Sequence, residues 1–530
     1  MKRLTISSVL QSMCYGFAAL LLTASCTNDD TVQEGKQKKT DIPTGSTVFT
    51  GTSQPDATTR TAILNHTKGT GASVNWSSSD RIWVKDDAGT WQQSATATIP
   101  SATNQSFATF ALSGTYTGAS HDIIYTNTAV SGSQPQVEIK TTQTQSAPNN
   151  FDHAGESGDC GIATGAKLGS GYYFSLNHKA SYLCLIPRTN NEYVKRSKLI
   201  KIEIMSDDEI AGTYNIAADG TLTLASGGSK TITVTTGSGF AIDNTADDMS
   251  KNATYAVVAP GTHTFRIRYW LRNTTDAPDG AIEGTVSKII TLNCAAGSIQ
   301  DITANLNPHD YDGDHYYMWD AQEQYWKGHE WNLGGSQPTL TTQSASSDYP
   351  QNSSDPNHRY YHKGGGSSRF DATQSCATLP NANEMSWYCV YGDPRWDADE
   401  LWTTMGHLYK GGMWFKKKSV LQAEGHYNTE FSADGSTDLR TTFKDYYNSN
   451  SSINSGLPSV ADAGNYFYLP TLGFYYVGQL NRVGSHGAYW SSSAAPWYSS
   501  DRACNLGFYS GNVNVVTNLR DSGSRAEAFQ

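Results

Sequence analysis

Apolar and polar residues alternate repeatedly along the first 300 residues. Ile202 and Ile204 alternate with Lys201 and Glu203, Leu222 and Leu224 with threonines, and Ile232 and Val234 do the same. Phe265, Ile267 and Tyr269 alternate with Arg266 and Arg268. A period of two sends every second side chain to one face, so each segment predicts a strand with one buried face. Clusters such as Gly169-Ser170-Gly171 and Gly227-Gly228-Ser229 punctuate them as turns. No long stretch between residues 46 and 308 carries the 3.6-residue period of a helix. Many short strands without helices predict β-sandwich packing. The length of this stretch predicts two lobes, with a boundary near Gly227.

The pattern changes after Asn307-Pro308-His309-Asp310, and nine of the 13 tryptophans lie beyond Pro308. Residues 341–368 are rich in Ser, Gly, Asn and Gln and predict a long surface loop. Asn381, with Glu384 three residues later, predicts a capped helix running to about Val390. Asp397 and Glu400 repeat that spacing. Leu401, Met405 and Leu408 then predict the apolar face of a second helix, stopped by Gly411-Gly412. On this reading the two acids are helix-start charges favoured by the dipole. Cys504, Leu506 and Phe508 alternate, Ser510-Gly511 turns, and Val513 and Val515 alternate, which predicts a hairpin. Residues 309–530 therefore read as an α+β domain, and the whole chain as mainly β.

The N-terminus has a different character. Lys2 and Arg3 precede an apolar stretch densest from Phe17 to Leu22, too short for a stable span, and Leu22-Thr23-Ala24-Ser25-Cys26 follows. Small residues before a Cys resemble a bacterial lipoprotein signal. That resemblance implies removal of residues 1–25, acylation of Cys26 and tethering outside the cytoplasm. Residues 26–45 read as a polar tether. Six cysteines remain beyond Cys26, at 160, 184, 294, 376, 389 and 504. Their spacing is irregular and lacks CxxC, so no metal site is expected from them, and buried thiols compete with disulfides as the reading.

Composition narrows the function classes. The chain of 530 residues has a net charge of −11, so it lacks the basic footprint of a nucleic-acid binder. It contains 30 tyrosines and only 16% charged residues, which argues against a disordered chain.

Two families resemble parts of the sequence. Thr59-Arg60-Thr61, then Val74-Asn75-Trp76 through Asp80-Arg81-Ile82, resemble the fimbrillin family of bacterial lipoprotein pilins. Phe174-Ser175-Leu176-Asn177-His178, Tyr255–Gly261 and Ile302–Leu306 extend the likeness. The resemblance implies two transthyretin-like β-sandwich lobes over residues 46–308 and a place in the fimbrium, lipid-anchored at the cell outer membrane. It also implies proteolysis at a basic residue, here Arg60. That cut would remove a strand containing Val48, Phe49 and Thr50 and open a groove for a strand donated by another pilin subunit. Leu379–Met385 and Gly487–Ser493 resemble the major paralogous domain of bacterial surface lipoproteins, which is similar to C-type-lectin-like and formylglycine-generating folds. This second likeness spans residues 376–530 and includes a looser Arg520, Gly523, Arg525 pattern.

Chemistry-bearing motifs are few. No HExxH, GxSxG or Walker loop is present, so no catalytic residue is assigned and no enzyme is expected. Asp310-Tyr311-Asp312-Gly313-Asp314 resembles the start of a calcium loop. Its Gly falls fourth and Ala321 stands twelfth, so a solvated turn is favoured over a Ca2+ site and no cofactor is assigned. His178 lacks a second ligand at metal spacing and reads as structural. Trp387, Trp402 and Trp414 read as core. Trp497 and Tyr498, with the aromatics from Tyr316 to Trp331, are candidates for contacts to glycan or protein at a host or bacterial surface. The leading expectation is a pilus tip or accessory adhesin subunit. The alternative is a monomeric, surface-anchored glycan-binding lipoprotein.

Overall fold

The computed structural model describes residues 45–52, 62–64, 66–69, 73–101, 105–277, 280–340, 344–454 and 456–529. Cys26 and Arg60 lie outside the described residues. The architecture is mainly β, with 44% strand and 7% helix.

The alternation at Phe265, Ile267 and Tyr269 belongs to the longest hairpin, Gly261–Ala277 with Gly280–Cys294. Lys198–Ser206 pairs with its first strand, setting Ile202 against Tyr269 and Ile204 against Ile267. Thr231–Ala241 pairs on the other side of Lys198–Ser206, opposing Val234 to Ile202. Facing this sheet is a three-stranded one in the order Thr254–Val258, Ser181–Arg188, Ile299–Asn305. The inward residues of both sheets form one continuous hydrophobic cluster. Leu222 is half-buried against the core as expected, whereas Leu224 departs from expectation. Their strand, Leu222–Ser229, is mostly solvent-exposed, and Leu224 is 44% exposed. Gly227 lies within that strand.

A second front sheet has the order Trp91–Gln93, Trp83–Lys85, Ser120–Tyr125, Gly161–Leu168, Gly171–Ser175, Thr47–Thr52, Phe107–Leu112. Its core holds Phe49, Trp76, Phe110, Tyr172 and Phe174.

Arg266 and Arg268 alternate with the core residues, yet both are buried, at 6% and 7% exposure. The outer face of the long hairpin is covered by the C-terminal part of the chain. Arg266 donates to the carbonyl of Pro458 at 2.7 Å. Arg268 donates to Asp397 at 2.9 Å and to the Thr285 hydroxyl at 2.9 Å. Glu400 accepts from the Ser287 amide at 3.1 Å and hydroxyl at 2.6 Å. Loss of water and the neighbouring Asp397 push the Glu400 carboxyl above its ordinary range.

These contacts overturn the expected second helix. Asp397 and Glu400 lie in the strand Arg395–Thr404, antiparallel to His407–Lys416. The turn between them, Met405-Gly406, has positive φ at both residues, 45° and 77°. That is the two-residue hairpin turn whose twist matches the flanking strands. Leu401, Met405 and Leu408 are all buried, but on two strands and a turn rather than on one helical face. Gly411 and Gly412 lie inside the second strand and do not end a helix. A Cβ on Gly412 would meet the Leu469 carbonyl at 2.5 Å, so the close approach of the next strand requires glycine.

The other C-terminal elements follow the pattern. The helix Ala382–Tyr391 starts with a complete capping box. Asn381 accepts from the Glu384 amide at 3.0 Å, and Glu384 accepts from the Asn381 amide at 2.8 Å. Arg502–Tyr509 and Asn512–Leu519 form the predicted hairpin within a six-stranded sheet. All six cysteines beyond Cys26 are buried and free.

Replacing Asp397 by Ala strands the Arg268 guanidinium between two packed layers. The expected loss is about 3–5 kcal/mol, read as a lower urea midpoint. Leu224→Ser is expected to stay within about 0.5 kcal/mol of the parent. A similar midpoint for both variants would contradict the burial described here.

Candidate functional site

Two places combine exposed or removable groups with a shaped surface. The first is the seat of the strand Thr47–Thr52. This strand runs parallel to Gly171–Ser175, opposing Phe49 to Tyr172, and antiparallel to Phe107–Leu112, opposing Phe49 to Phe110. It therefore fills a slot between two strands and satisfies a ladder on each side. Phe49 is fully buried, stacked on Tyr172 at 4.7 Å and edge-on to Tyr116 at 5.2 Å. Two residues on, Gly51 is hemmed in. A Cβ there would meet Phe174 at 2.8 Å and Trp76 at 2.9 Å. The slot thus demands an aromatic side chain and then glycine on the same face.

The second is a pocket of about 280 Å³ beside the C-terminal hairpin. Phe443, Trp497, Tyr498, Arg502 and Val516 line it. Trp497 is fixed. Its indole N–H donates to the Leu439 carbonyl at 2.7 Å and its ring lies 5.0 Å from Phe443. Tyr498 is 61% exposed, with the Arg502 guanidinium 4.7 Å from its ring centre. A rigid indole, an open phenol ring and a cation can present a flat face with polar edges to a partner.

The structure separates the aromatics grouped with these two in the sequence. Tyr316, Trp319 and Trp326 are fully buried and belong to the core, contrary to the expectation of displayed faces. Trp331 alone lines a larger cleft of about 530 Å³ together with Tyr193, Asp310, Asp312 and Asp314. Trp387 and Trp402 are buried as expected, and Trp414 is half-buried, donating to Asp397 at 3.2 Å. Phe443 and Arg502 escaped the sequence reading because one stands on a distant upstream segment and the other beyond an intervening turn.

The acidic turn is held by the protein itself. Asp310 accepts from the Thr403 hydroxyl at 2.5 Å. Asp312 and Asp314 each lie 2.7 Å from the His315 ring. His178 also has a structural partner, the buried Asp159 at 2.9 Å. That carboxylate lies 19 positions upstream and also accepts from Tyr182.

The segments Leu379–Met385 and Gly487–Ser493 meet in space. The Ser492 amide donates to the Pro380 carbonyl at 3.0 Å, and the Ala382 amide to the Ser493 hydroxyl at 3.0 Å. Arg520 is buried against Trp319, 4.5 Å from its ring, and Arg525 lies 4.9 Å from the Tyr316 ring.

No protein-family model matches the chain, and no curated protein matches it. Solved structures with some likeness include a candidate cell adhesion protein from Bacteroides ovatus. It is 12% identical, covers 49% of this chain and 91% of its own, and has a TM-score of 0.30. A fimbrial protein from Bacteroides ovatus is 11% identical, with coverages of 90% and 98% and a TM-score of 0.23. The fimbrial anchor protein Mfa2 from Porphyromonas gingivalis is 10% identical, with coverages of 47% and 99% and a TM-score of 0.20. Scores this low carry no argument about fold or activity.

Tyr498→Ala is expected to leave stability within about 0.5 kcal/mol. Trp497→Ala is expected to cost about 2 kcal/mol, through part of an indole's burial and one hydrogen bond. Urea unfolding of the two variants checks this difference.

Proposed function

We propose that the protein is a surface-anchored fimbrial adhesin subunit that accepts a donated strand and occupies a tip or accessory position. The observation that supports it is the seat of Thr47–Thr52. The earliest strand described lies inside a sheet, and Arg60 follows it eight residues later. A cut after Arg60 would leave the strand held by non-covalent contacts on that side: its ladders, the Phe49 ring and the Thr52 hydroxyl, which donates to the Phe174 carbonyl at 3.3 Å. Its departure would leave two rows of unpaired backbone groups and an aromatic slot, which favours replacement by a strand of another subunit. The incoming strand needs an aromatic where Phe49 sits and glycine where Gly51 sits.

The terminal position rests on the other end of the fold. Residues 512–529 are built into it. Asn512–Leu519 is an inner strand of the six-stranded sheet, Arg525 is buried, and Phe529 packs edge-on to Tyr388 at 5.4 Å. These residues offer no free strand to a neighbour. The pocket at Trp497 and Tyr498 is then the contact to a glycan or protein receptor, within a C-terminal domain of C-type-lectin-like type. No catalytic role and no cofactor enters this reading. Calcium at the acidic turn would only bolster the loop that Thr403 and His315 already hold. Among the described residues no helix is long and apolar enough to cross a membrane; attachment before the cut is assigned to the lipid on Cys26, and after it the subunit is held through its neighbours in the filament.

N-terminal sequencing of surface-extracted filaments is expected to begin at Thr61, and Arg60→Ala is expected to keep the protein out of filaments. Assembled material that all retains Cys26 at its N-terminus rules the strand exchange out. On a glycan array, the double variant Trp497→Ala/Tyr498→Ala is expected to lose binding. Retained binding removes this pocket from the receptor site. Sugar binding by a protein never found in filaments favours the monomeric lipoprotein instead.

A further inference from the structure

Three side chains of different chemistry converge on one face of the sheet Thr254–Val258, Ser181–Arg188, Ile299–Asn305, the face opposite Ile302 and Ala304. Cys184 stands in register with Asp301 on one side and Tyr255 on the other. Over this row lies His66, from the short segment 66–69. Its Nε2 is 2.7 Å from Asp301 Oδ1, and its side chain is completely buried. The amide of Gly69 donates to the other Asp301 oxygen at 2.7 Å. The imidazole nitrogen, thiol sulfur and carboxylate oxygen all lie within 4.8 Å of one another.

We propose that His66, Cys184 and Asp301 form a binding site for a divalent transition-metal ion, with zinc the best match. Three features support it. Imidazole, thiol and carboxylate are the three zinc-ligand classes, and a tetrahedral ion spaces its ligands about 3–4 Å apart. The present spacings need shifts of only about an ångström to reach that geometry. The thiol and imidazole select zinc-like ions over calcium and magnesium, which take oxygen.

The surroundings also fit. Asp301 is oriented by the Gly69 amide, and the Cys184 sulfur is in hydrogen-bond contact with the Tyr255 hydroxyl, which in turn donates to Asn149 at 2.5 Å. Among the described residues the His66 ring meets one polar side chain, Asp301, and its Nδ1 is buried without a partner. Asp301 keeps 15% exposure and so gives the ion an entry edge. Binding displaces the thiol proton to solvent and moves the imidazole proton from Nε2 to Nδ1, and three protein ligands leave a fourth position for water. Positions 66, 184 and 301 are too far apart for sequence spacing to reveal the set. The site stands whether or not Arg60 is cut. If it is cut, the ion would clip down the segment beginning five residues after Thr61, the new terminus.

Titration of the purified, reduced protein with Co2+ tests the site. The expected result is a near-ultraviolet thiolate-to-cobalt band with visible d–d bands, saturating at one equivalent and displaced by Zn2+. Both Cys184→Ser and His66→Gln are expected to abolish the thiolate band while folding without metal, as judged by thermal melts. Should Cys184→Ser fail to fold, His66→Gln carries the test, because its segment lies over the sheet rather than within it. Absence of the thiolate band in the parent, d–d bands alone from the exposed Asp312–Asp314–His315 cluster, or a thiolate band that survives His66→Gln overturns the proposal.

Discussion

A guanidinium between two packed layers has to meet an anion there, and Arg268 meets Asp397. The pair joins the long hairpin of the front half to the strand Arg395–Thr404 of the back half. Around it, Arg266 reaches the Pro458 carbonyl, Glu400 gathers the Ser287 amide and hydroxyl, and Trp414 donates to the second oxygen of Asp397. Buried charges of this kind give little net stability compared with an apolar replacement, but they penalise every arrangement that leaves one of them alone. The front sheet and the C-terminal strands thereby share a defined register, with Thr285 opposite Glu400.

The two ends of the described chain are treated in opposite ways. At the front, Thr47–Thr52 lies between two strands, tied to them by a ladder on each side, by the Phe49 ring and by the Thr52 hydroxyl. At the back, Arg520 and Arg525 are buried against Trp319 and Tyr316, and Phe529 closes over Tyr388. Arg520 and Arg525 therefore act as internal posts, and the adjoining Gly523 is small because the Tyr325 ring leaves no room for a Cβ.

Much of this was legible in the sequence where local chemistry decides. The strands at Ile202–Ile204 and Ile232–Val234, the capping box at Asn381 and Glu384, and the hairpin at Ser510-Gly511 all formed as read. Local reading failed where a distant segment intervened. Arg266 and Arg268 looked solvent-facing because nothing nearby announced the cover from Pro458 and Ser459 over the first and from Asp397 over the second. Leu401, Met405 and Leu408 mimicked a helical face because Met405-Gly406 reverses a β-hairpin there. The glycine was the available signal, and it was masked by an apolar spacing that both structures satisfy. The pocket was half legible: Trp497 and Tyr498 stand out as adjacent aromatics, whereas Phe443 and Arg502 join them only through the fold.

The buried cysteines give the fold an indifference to oxidants. Cys160 and Cys184 are pushed far above the ordinary thiol range by burial, Cys294 is pushed up to about 11, and Cys376, Cys389 and Cys504 to about 12. Thiolates attack disulfides and thiols do not, so each of these groups is nearly inert to exchange while the protein is folded. Among the described residues no disulfide needs an oxidising or isomerising catalyst to form. The vulnerable moment of these sulfurs is earlier, while the chain is still extended and they could be joined wrongly.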